Sequence, residues 1–351
     1  MSYTDGIAAI NLQPTNRIPR TECANVHWAL MKAVTGVDVE QSSSDDEKAY
    51  AKEHFFRKWN YDFYTQGFIP IDEMKKKRTK MGHAVFMAGG VDFDKEKSCP
   101  FQSTEEVLAF DPVEVYGKPN KKELVLWINS KFNESQKFYP DLVNAFGTYF
   151  TCVSGLIEIF GWDMLLTACG EDPKGFGHVA RRYSDFLVPY IEALAESDFE
   201  AIQVHDDICW TEGQIFNREW YETFVFPSLR RVITPLTEAG KKVIYVSDGT
   251  YQMFFDDIVK LGVHGFFFEP TNDLAEAAER YGKTHAIFGG PDTRVLLFGD
   301  KNDIYREVKR CMDIGRSCPG YFMCVVNHIP PNTPVDNCLF YNEYYEKLSK
   351  R

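Results

Sequence analysis

Short apolar runs alternating with longer amphipathic stretches are the feature that most constrains this chain. Eight runs read as strands: Tyr61–Phe63, Ala84–Met87, Thr148–Val153, Ala201–His205, Lys242–Ser247, Gly265–Glu269, Ala286–Gly289 and Tyr321–Val326. Between them lie helix-like segments such as His178–Glu196, Trp220–Ala239, Tyr251–Leu261, Leu274–Tyr281 and Ile304–Ile314, and Gly or Pro punctuates most junctions. About eight such units in 351 residues predict one α/β domain, a single (β/α)8 TIM barrel spanning 1–351. A doubly wound sheet is the alternative, but no GxGxxG follows the first strand.

The flanks fit a barrel with additions. Residues 1–57 read as an N-terminal helical segment. It holds a helix near Glu22–Gly36 and a second, capped by Ser44 or Asp45, running to Trp59. Residues 91–140 are charged and contain proline, and read as an insertion covering one rim.

Composition excludes several partner classes. A net charge of −12 argues against nucleic acid and against an anionic membrane surface. The one basic run, "KKKRTK" (Lys75–Lys80), reads as a solvated helix face. No charged segment followed by an apolar core opens the chain, so no signal peptide is expected and a cytoplasmic location is. The most apolar stretch, Phe146–Trp162, carries Thr148, Thr151, Ser154 and Glu158 and reads as core rather than as a membrane span. Nine cysteines without a CxxC, four of them late (Cys311, Cys318, Cys324, Cys338), read as reduced thiols.

The chemistry collects at strand ends. "AIQVHDDICWTEG" (Ala201–Gly213) begins as a buried strand and ends in an imidazole and acids. In a barrel, side chains alternate between interior and helix layer, and catalytic groups sit at the C-terminal ends of strands. With Ile202 and Val204 toward the helices, Gln203, His205 and Asp207 face the mouth. With Ile244 and Val246 toward the helices, Tyr245 and Ser247 face inward. Glu269 ends the next strand before Pro270, and Asn327 and His328 end the last. Each has a plainer reading. His205 can be a hydrogen-bonded structural residue, Asp206 and Asp207 can cap a helix or turn, Glu269 can satisfy backbone donors, and 327–333 can be a proline-rich turn.

Four ordered segments, "TCVSGLIE" (Thr151–Glu158), "VHDDICWTEGQIF" followed by Pro227, "IFGGPDT" (Ile287–Thr293) and "NHIPPNTPVDN" (Asn327–Asn337), resemble the uroporphyrinogen decarboxylase superfamily, which also holds corrinoid-dependent methyltransferases. The resemblance covers roughly residues 55–350 and implies a (β/α)8 barrel. True decarboxylases carry an arginine-rich motif that holds the substrate's carboxylates. Here the stretch is "NRIPRTECANVHW", with Arg17 and Arg20 but not the motif. The family's site aspartate matches Asp72; its tyrosine falls on Gly155, its serine on Asp207 and its late histidine on Asn327. The thiol-methylating branch holds zinc through H-x-C and a later cysteine, which fall here on Tyr245, Ser247 and Asn327.

What remains is the branch that demethylates small methoxylated or methylated compounds onto a corrinoid protein. The resemblance then implies a cobalamin-type corrinoid on a partner protein, with zinc as a second candidate cofactor. Asp72, His205, Asp207, Tyr245, Glu269 and Asn327 are the catalytic candidates. Trp210, Ser247 and Phe267 are candidates for substrate binding, and His205, Asp207, Glu269 and His328 for a hard N/O metal site. The alternatives are decarboxylation of uroporphyrinogen or another carboxylated substrate, and a non-catalytic barrel that holds a corrinoid or tetrapyrrole.

Overall fold

The computed structural model describes residues 1–24, 26–69, 77–79, 84–87, 90–93, 99–149 and 151–351. Seven parallel strands form one curled sheet in chain order: β1 (Phe63–Phe68), β2 (Val143–Thr148), β3 (Ala201–His205), β4 (Lys242–Ser247), β5 (Gly265–Phe268), β6 (Ala286–Gly289) and β7 (Tyr321–Met323). An extended N-terminal segment closes the ring. The Met323 N–H donates to the Pro19 carbonyl (3.0 Å), and the Arg20 carbonyl accepts from the Asp62 N–H (2.8 Å) just before β1. Pro19–Thr21 therefore stands as the eighth stave between β7 and β1. The fold is a TIM barrel.

Three strand expectations fall differently. The strand expected at Tyr61–Phe63 begins only at Phe63 and runs to Phe68. Ala84–Met87 pairs antiparallel with Gly90–Phe93 in a separate hairpin, so it is not a stave. The strand expected at Thr148–Val153 lies earlier, at Val143–Thr148, because Thr151 already stands at the head of the following helix. Between 104 and 138 lie three helices. The longest, Lys121–Phe138, packs against the Pro173–Glu196 helix and β2, with Trp127 edge-on to Phe146 (5.9 Å).

The interior phase follows from two separate apolar clusters. Phe63, Ala145, Ala201, Ile244, Val246, Phe267, Phe288 and Phe322 fill the barrel, while Ile202, Val204, Tyr245, Phe266 and Phe268 pack with the helices. Phe288 stacks on Phe322 (4.2 Å) and Phe267 on Phe288 (5.5 Å), so a column of rings seals the barrel beneath its mouth. The inward phase expected for β3 holds. For β4 it is inverted: Ile244 and Val246 point in, and Tyr245 and Ser247 point to the helices. Bulky aliphatics fill barrel interiors, so an aliphatic run does not mark the helix side.

The Cys152–Glu171 helix is long and apolar enough to cross a membrane, but most of it is buried in the helix layer. Gly161, at φ 72°, breaks it in the middle. All nine cysteines are free thiols.

Candidate active site

The sequence "HDD" at the end of β3 divides into three tasks. Thr151 opens the Cys152–Glu171 helix without capping it by its own side chain; its hydroxyl donates to the His205 carbonyl. The Asp206 carboxylate takes over, accepting from the Val153 and Ser154 N–H groups at 2.8 Å each. A carboxylate at a helix N-terminus satisfies first-turn donors and meets the positive end of the dipole. Asp206 is thus the cap that sequence reasoning allowed for. Burial nevertheless pushes its carboxyl up to about 6, against the pull of those donors.

His205 and Asp207 share the inward phase. His205 Nε2 lies 2.9 Å from Asp207 Oδ1, and the same oxygen accepts from the Asp248 N–H (2.8 Å). Ser154 braces the pair: its Oγ accepts from the Asp207 N–H (2.7 Å) and donates to Asp207 Oδ2 (3.2 Å). Tyr149 stands edge-on to the imidazole at 4.6 Å. Burial alone would lower the proton affinity of His205, but the Asp207 carboxylate, with Asp248 and Asp206 beyond it, raises it to about 9. Burial likewise opposes ionisation of Asp207, yet His205 and the donors on its oxygens hold it below the usual carboxylate range. At neutral pH the pair is imidazolium and carboxylate.

Asp248 completes the group, and sequence reasoning missed it. His205 pairs in register with Val246, which brings the residues two positions on, Asp207 and Asp248, side by side. One oxygen of Asp248 lies 3.9 Å from His205 Nε2. Burial and the neighbouring Asp207 charge push its carboxyl up to about 8. The signal was present in "VSDG", and the inverted phase hid it.

The remaining candidates separate. Glu269 accepts from the Gly249 N–H (2.7 Å) and from Asn327 Nδ2 (3.0 Å). Asn327 sits at φ 69°, in the left-handed region, where asparagine is the least strained side chain after glycine. Phe267, Trp210 and His328 line the same cavity, and burial pulls the His328 ring down to about 4. Tyr245 is fully buried, its hydroxyl donating to the Asp206 carbonyl (3.0 Å), and the Ser247 hydroxyl donates to the Asp248 carbonyl (3.0 Å); neither lines the cavity. Asp72 lies outside the described residues. At Gly155 a Cβ would come within 2.1 Å of the Tyr183 hydroxyl, so a buried tyrosine from the next helix fills that space.

His205, Asp207 and Asp248 each offer a ligand atom within 4.8 Å of the others. Among the described residues the expected set of His205, Asp207, Glu269 and His328 does not form such a group; Asp248 replaces the last two.

The cavity at the mouth encloses about 730 Å³. Five carboxylates line it, those of Glu22, Glu158, Asp207, Asp248 and Glu269, and no described lining residue is lysine or arginine. Arg17 turns away to Asp62 (2.6 Å) and the Tyr345 hydroxyl. Arg20 is fully buried against Glu22 (3.0 Å) and the Trp59 carbonyl.

Residues 145–347 match the family described as uroporphyrinogen decarboxylase (URO-D). The uroporphyrinogen decarboxylase of Syntrophotalea carbinolica is 28% identical over 180 residues, 51% of each chain. That of Geobacter metallireducens is 25% identical over 213 residues, 60% of this chain and 61% of the relative. The chain thus matches about half to three fifths of these relatives' length. A methyltransferase from Methanosarcina mazei superposes over 98% of both chains with a TM-score of 0.66 at 14% identity, which establishes a shared fold.

Proposed function

This chain belongs to the uroporphyrinogen decarboxylase family, and from that membership we propose that it is a methyltransferase of the corrinoid-dependent branch. It takes a methyl group from a small methylated compound and passes it to a separate corrinoid protein. The observation that carries this reading is the sign of charge at the mouth. Uroporphyrinogen has eight carboxylates and needs cationic clamps. Here Arg17 and Arg20 are spent on internal partners, and the described lining is acidic. A polyanion entering this cavity meets repulsion, whereas a neutral or cationic methyl compound does not.

A reduced corrinoid, when docked at the mouth, supplies the nucleophile that accepts the methyl group. The chain's own residues supply the rest. Phe267 and the rings around it give an apolar wall that displaces water from the donor. His205 holds a proton at Nε2 against Asp207, and Ser154 and the Asp248 N–H fix that carboxylate. The pair serves as a positioned acid for a donor that leaves as an anion. Asn327 and Gly249 aim Glu269 at the cavity.

The one-nitrogen, two-carboxylate set of His205, Asp207 and Asp248 also suits a divalent cation such as zinc. Binding it would require His205 to release its proton, and the ion would supply Lewis acidity at the same place.

The test is methyl transfer from a panel of methoxyarenes and methylated amines to reduced corrinoid protein, followed by the cobalt spectrum. Transfer from at least one member is expected. Coproporphyrinogen formation at about 1 s⁻¹ or faster, a rate ordinary for an enzyme, would overturn the reading.

A further inference from the structure

Among the described residues, the cavity's charges do not balance. Glu158 has Arg78 at 3.1 Å, Glu22 has Arg20 at 3.0 Å and Asp207 has His205 at 2.9 Å. Glu269 has only neutral donors, and Asp248 has only a 3.9 Å approach to the same His205 Nε2 that Asp207 already holds at 2.9 Å. Among the described residues, then, two acidic groups face the cavity without a cation of their own: Glu269, and Asp248, which burial and the Asp207 charge leave protonated until a cation displaces the proton. The second observation is independent of charge. Aromatic rings stand around the same space, and two of them are open to it: Trp210 is 56% exposed and Phe68 37%. Tyr149 lies beside Phe68 (6.3 Å, edge-on), and Trp162 completes the wall. Large rings left exposed above unneutralised acids form the arrangement that binds quaternary ammonium groups, through ring quadrupoles and through net charge.

We propose that the methyl donor is a small methylated ammonium cation, held between the rings of Tyr149, Trp162 and Trp210 and the carboxylates of Asp248 and Glu269. This narrows the methyltransferase reading and rests on it. The chemistry closes without an acid. The carbon–nitrogen bond breaks with its electron pair left on nitrogen, the reduced corrinoid's electron pair forms the new bond to carbon, and a neutral amine departs. A methyl ether, in contrast, would leave an anion that needs a proton or a metal.

The experiment measures binding to the purified full chain by calorimetry, with choline as the cationic probe and 3,3-dimethylbutan-1-ol as its neutral isostere. Choline should bind at least about tenfold more tightly. Asp248→Asn and Trp210→Leu should each cut choline affinity by about fivefold or more while leaving the isostere unchanged and the thermal midpoint within a few degrees. Equal affinity for the two probes, tighter binding of a methoxyarene, or zinc uptake with no choline binding would each overturn the proposal. The methyl-transfer panel separates the two readings. Transfer from methoxyarenes alone sinks the cationic donor and leaves the methyltransferase standing. Choline binding that depends on Asp248, with no transfer from any donor, leaves the cation site standing and sinks the methyltransferase.

Discussion

Two clusters of buried charge lie in this barrel, and they are built on opposite plans. At the seam where Pro19–Thr21 closes the ring, every charge has a partner: Arg17 with Asp62 (2.6 Å) and Arg20 with Glu22 (3.0 Å). The Arg20 guanidinium also lies over the rings of Tyr345 (4.2 Å), Trp59 (5.0 Å) and Tyr341 (5.2 Å). Glu22 accepts from the Val325 N–H (2.7 Å) and the Tyr341 hydroxyl (2.6 Å), tying the segment to the strand beside it. Among the described residues at the mouth, acids outnumber cations and the excess faces a cavity. A saturated cluster spends its charge on holding the chain together. An unsaturated one keeps charge in reserve for something that arrives from outside.

Breaking the saturated cluster should have the largest effect. Arg20→Ala leaves Glu22 buried without its cation and removes the side chain's bonds to the Trp59 carbonyl and to Asn342. Loss of one partner of a buried pair costs about 3–5 kcal/mol, so urea unfolding should show a drop of that size. Trp59→Ala, which removes the ring beneath the guanidinium, falls in the same range, about 3–5 kcal/mol. Arg20→Lys should rescue little, because an ammonium cannot reproduce the stacked, forked contacts. A small loss in Arg20→Ala would mean that this seam does not hold the barrel.

The unsaturated cluster should fail in function first. Asp207→Asn preserves shape and the acceptor for the Asp248 N–H but removes the charge that holds the His205 proton. Methyl transfer should fall by about 10² or more, the usual worth of a positioned acid, for any donor that leaves as an anion. The side chains of His205 and Asp207 are only 15% and 16% exposed, so a stability loss of about 1 kcal/mol should accompany it. Unchanged transfer together with a large stability loss would reassign the pair to structure.

How much of this was legible in the sequence depends on what each residue's neighbours are. The ends of β3, β4 and β6 and of the Leu274–Tyr281 helix were readable, because Gly, Pro and capping residues mark them locally. The closing stave was not. Pro19–Thr21 has neither alternation nor apolar length, and only its partners on β7 and beside β1 make it a strand. The mouth was read in part for the same reason. His205 and Asp207 follow from period two along one strand and Glu269 from its place at the end of another, and the structure brings all three to the cavity. Asp248 needs the register between two strands, and the β4 phase was misread because aliphatic side chains fill the interior. On that inverted phase Tyr245 and Ser247 read as site residues, whereas Tyr245 packs in the helix-side cluster and neither lines the cavity.

pH sharpens the comparison by a smaller effect. His205 is raised from an ordinary 6.5 to about 9, so the stability its ion pair contributes is complete below about pH 6.5 and is lost as pH rises through about 9. Asp248 is raised from 3.8 to about 8, so the folded state holds its proton more tightly than the unfolded one. Stability therefore falls as pH climbs from about 4 to about 8. The two slopes have the same sign and overlap between about pH 6.5 and 8. His205→Gln and Asp248→Asn should each flatten the decline of the thermal midpoint over that window. A decline of wild-type steepness in both variants would place the titrating groups elsewhere.

The smallest expected change in stability belongs to Trp210, the counterpart of Trp59 at the other cluster. Trp59 is 1% exposed and packed between Phe55 (4.9 Å) and the Arg20 guanidinium, whereas Trp210 is 56% exposed at the rim. A side chain more than half in solvent loses few contacts on truncation, so Trp210→Leu should stay within about 0.5 kcal/mol of wild type. Its backbone is a different matter. Its carbonyl accepts from the Thr250 N–H (3.0 Å), and Gly249, at φ 75°, leaves room that a Cβ would close to 2.5 Å from that carbonyl. The loop after β4 is thus pressed against the loop after β3 by backbone, which Trp210→Leu leaves intact. Gly249→Ala, in contrast, should destabilise the protein through both strain and clash, by about 1–3 kcal/mol. It should also disturb Asp248, one residue away. Chemical unfolding of the two variants side by side decides the matter. If Trp210→Leu proves the more damaging, the indole is holding the rim together, and its exposure at the mouth no longer speaks for a ligand.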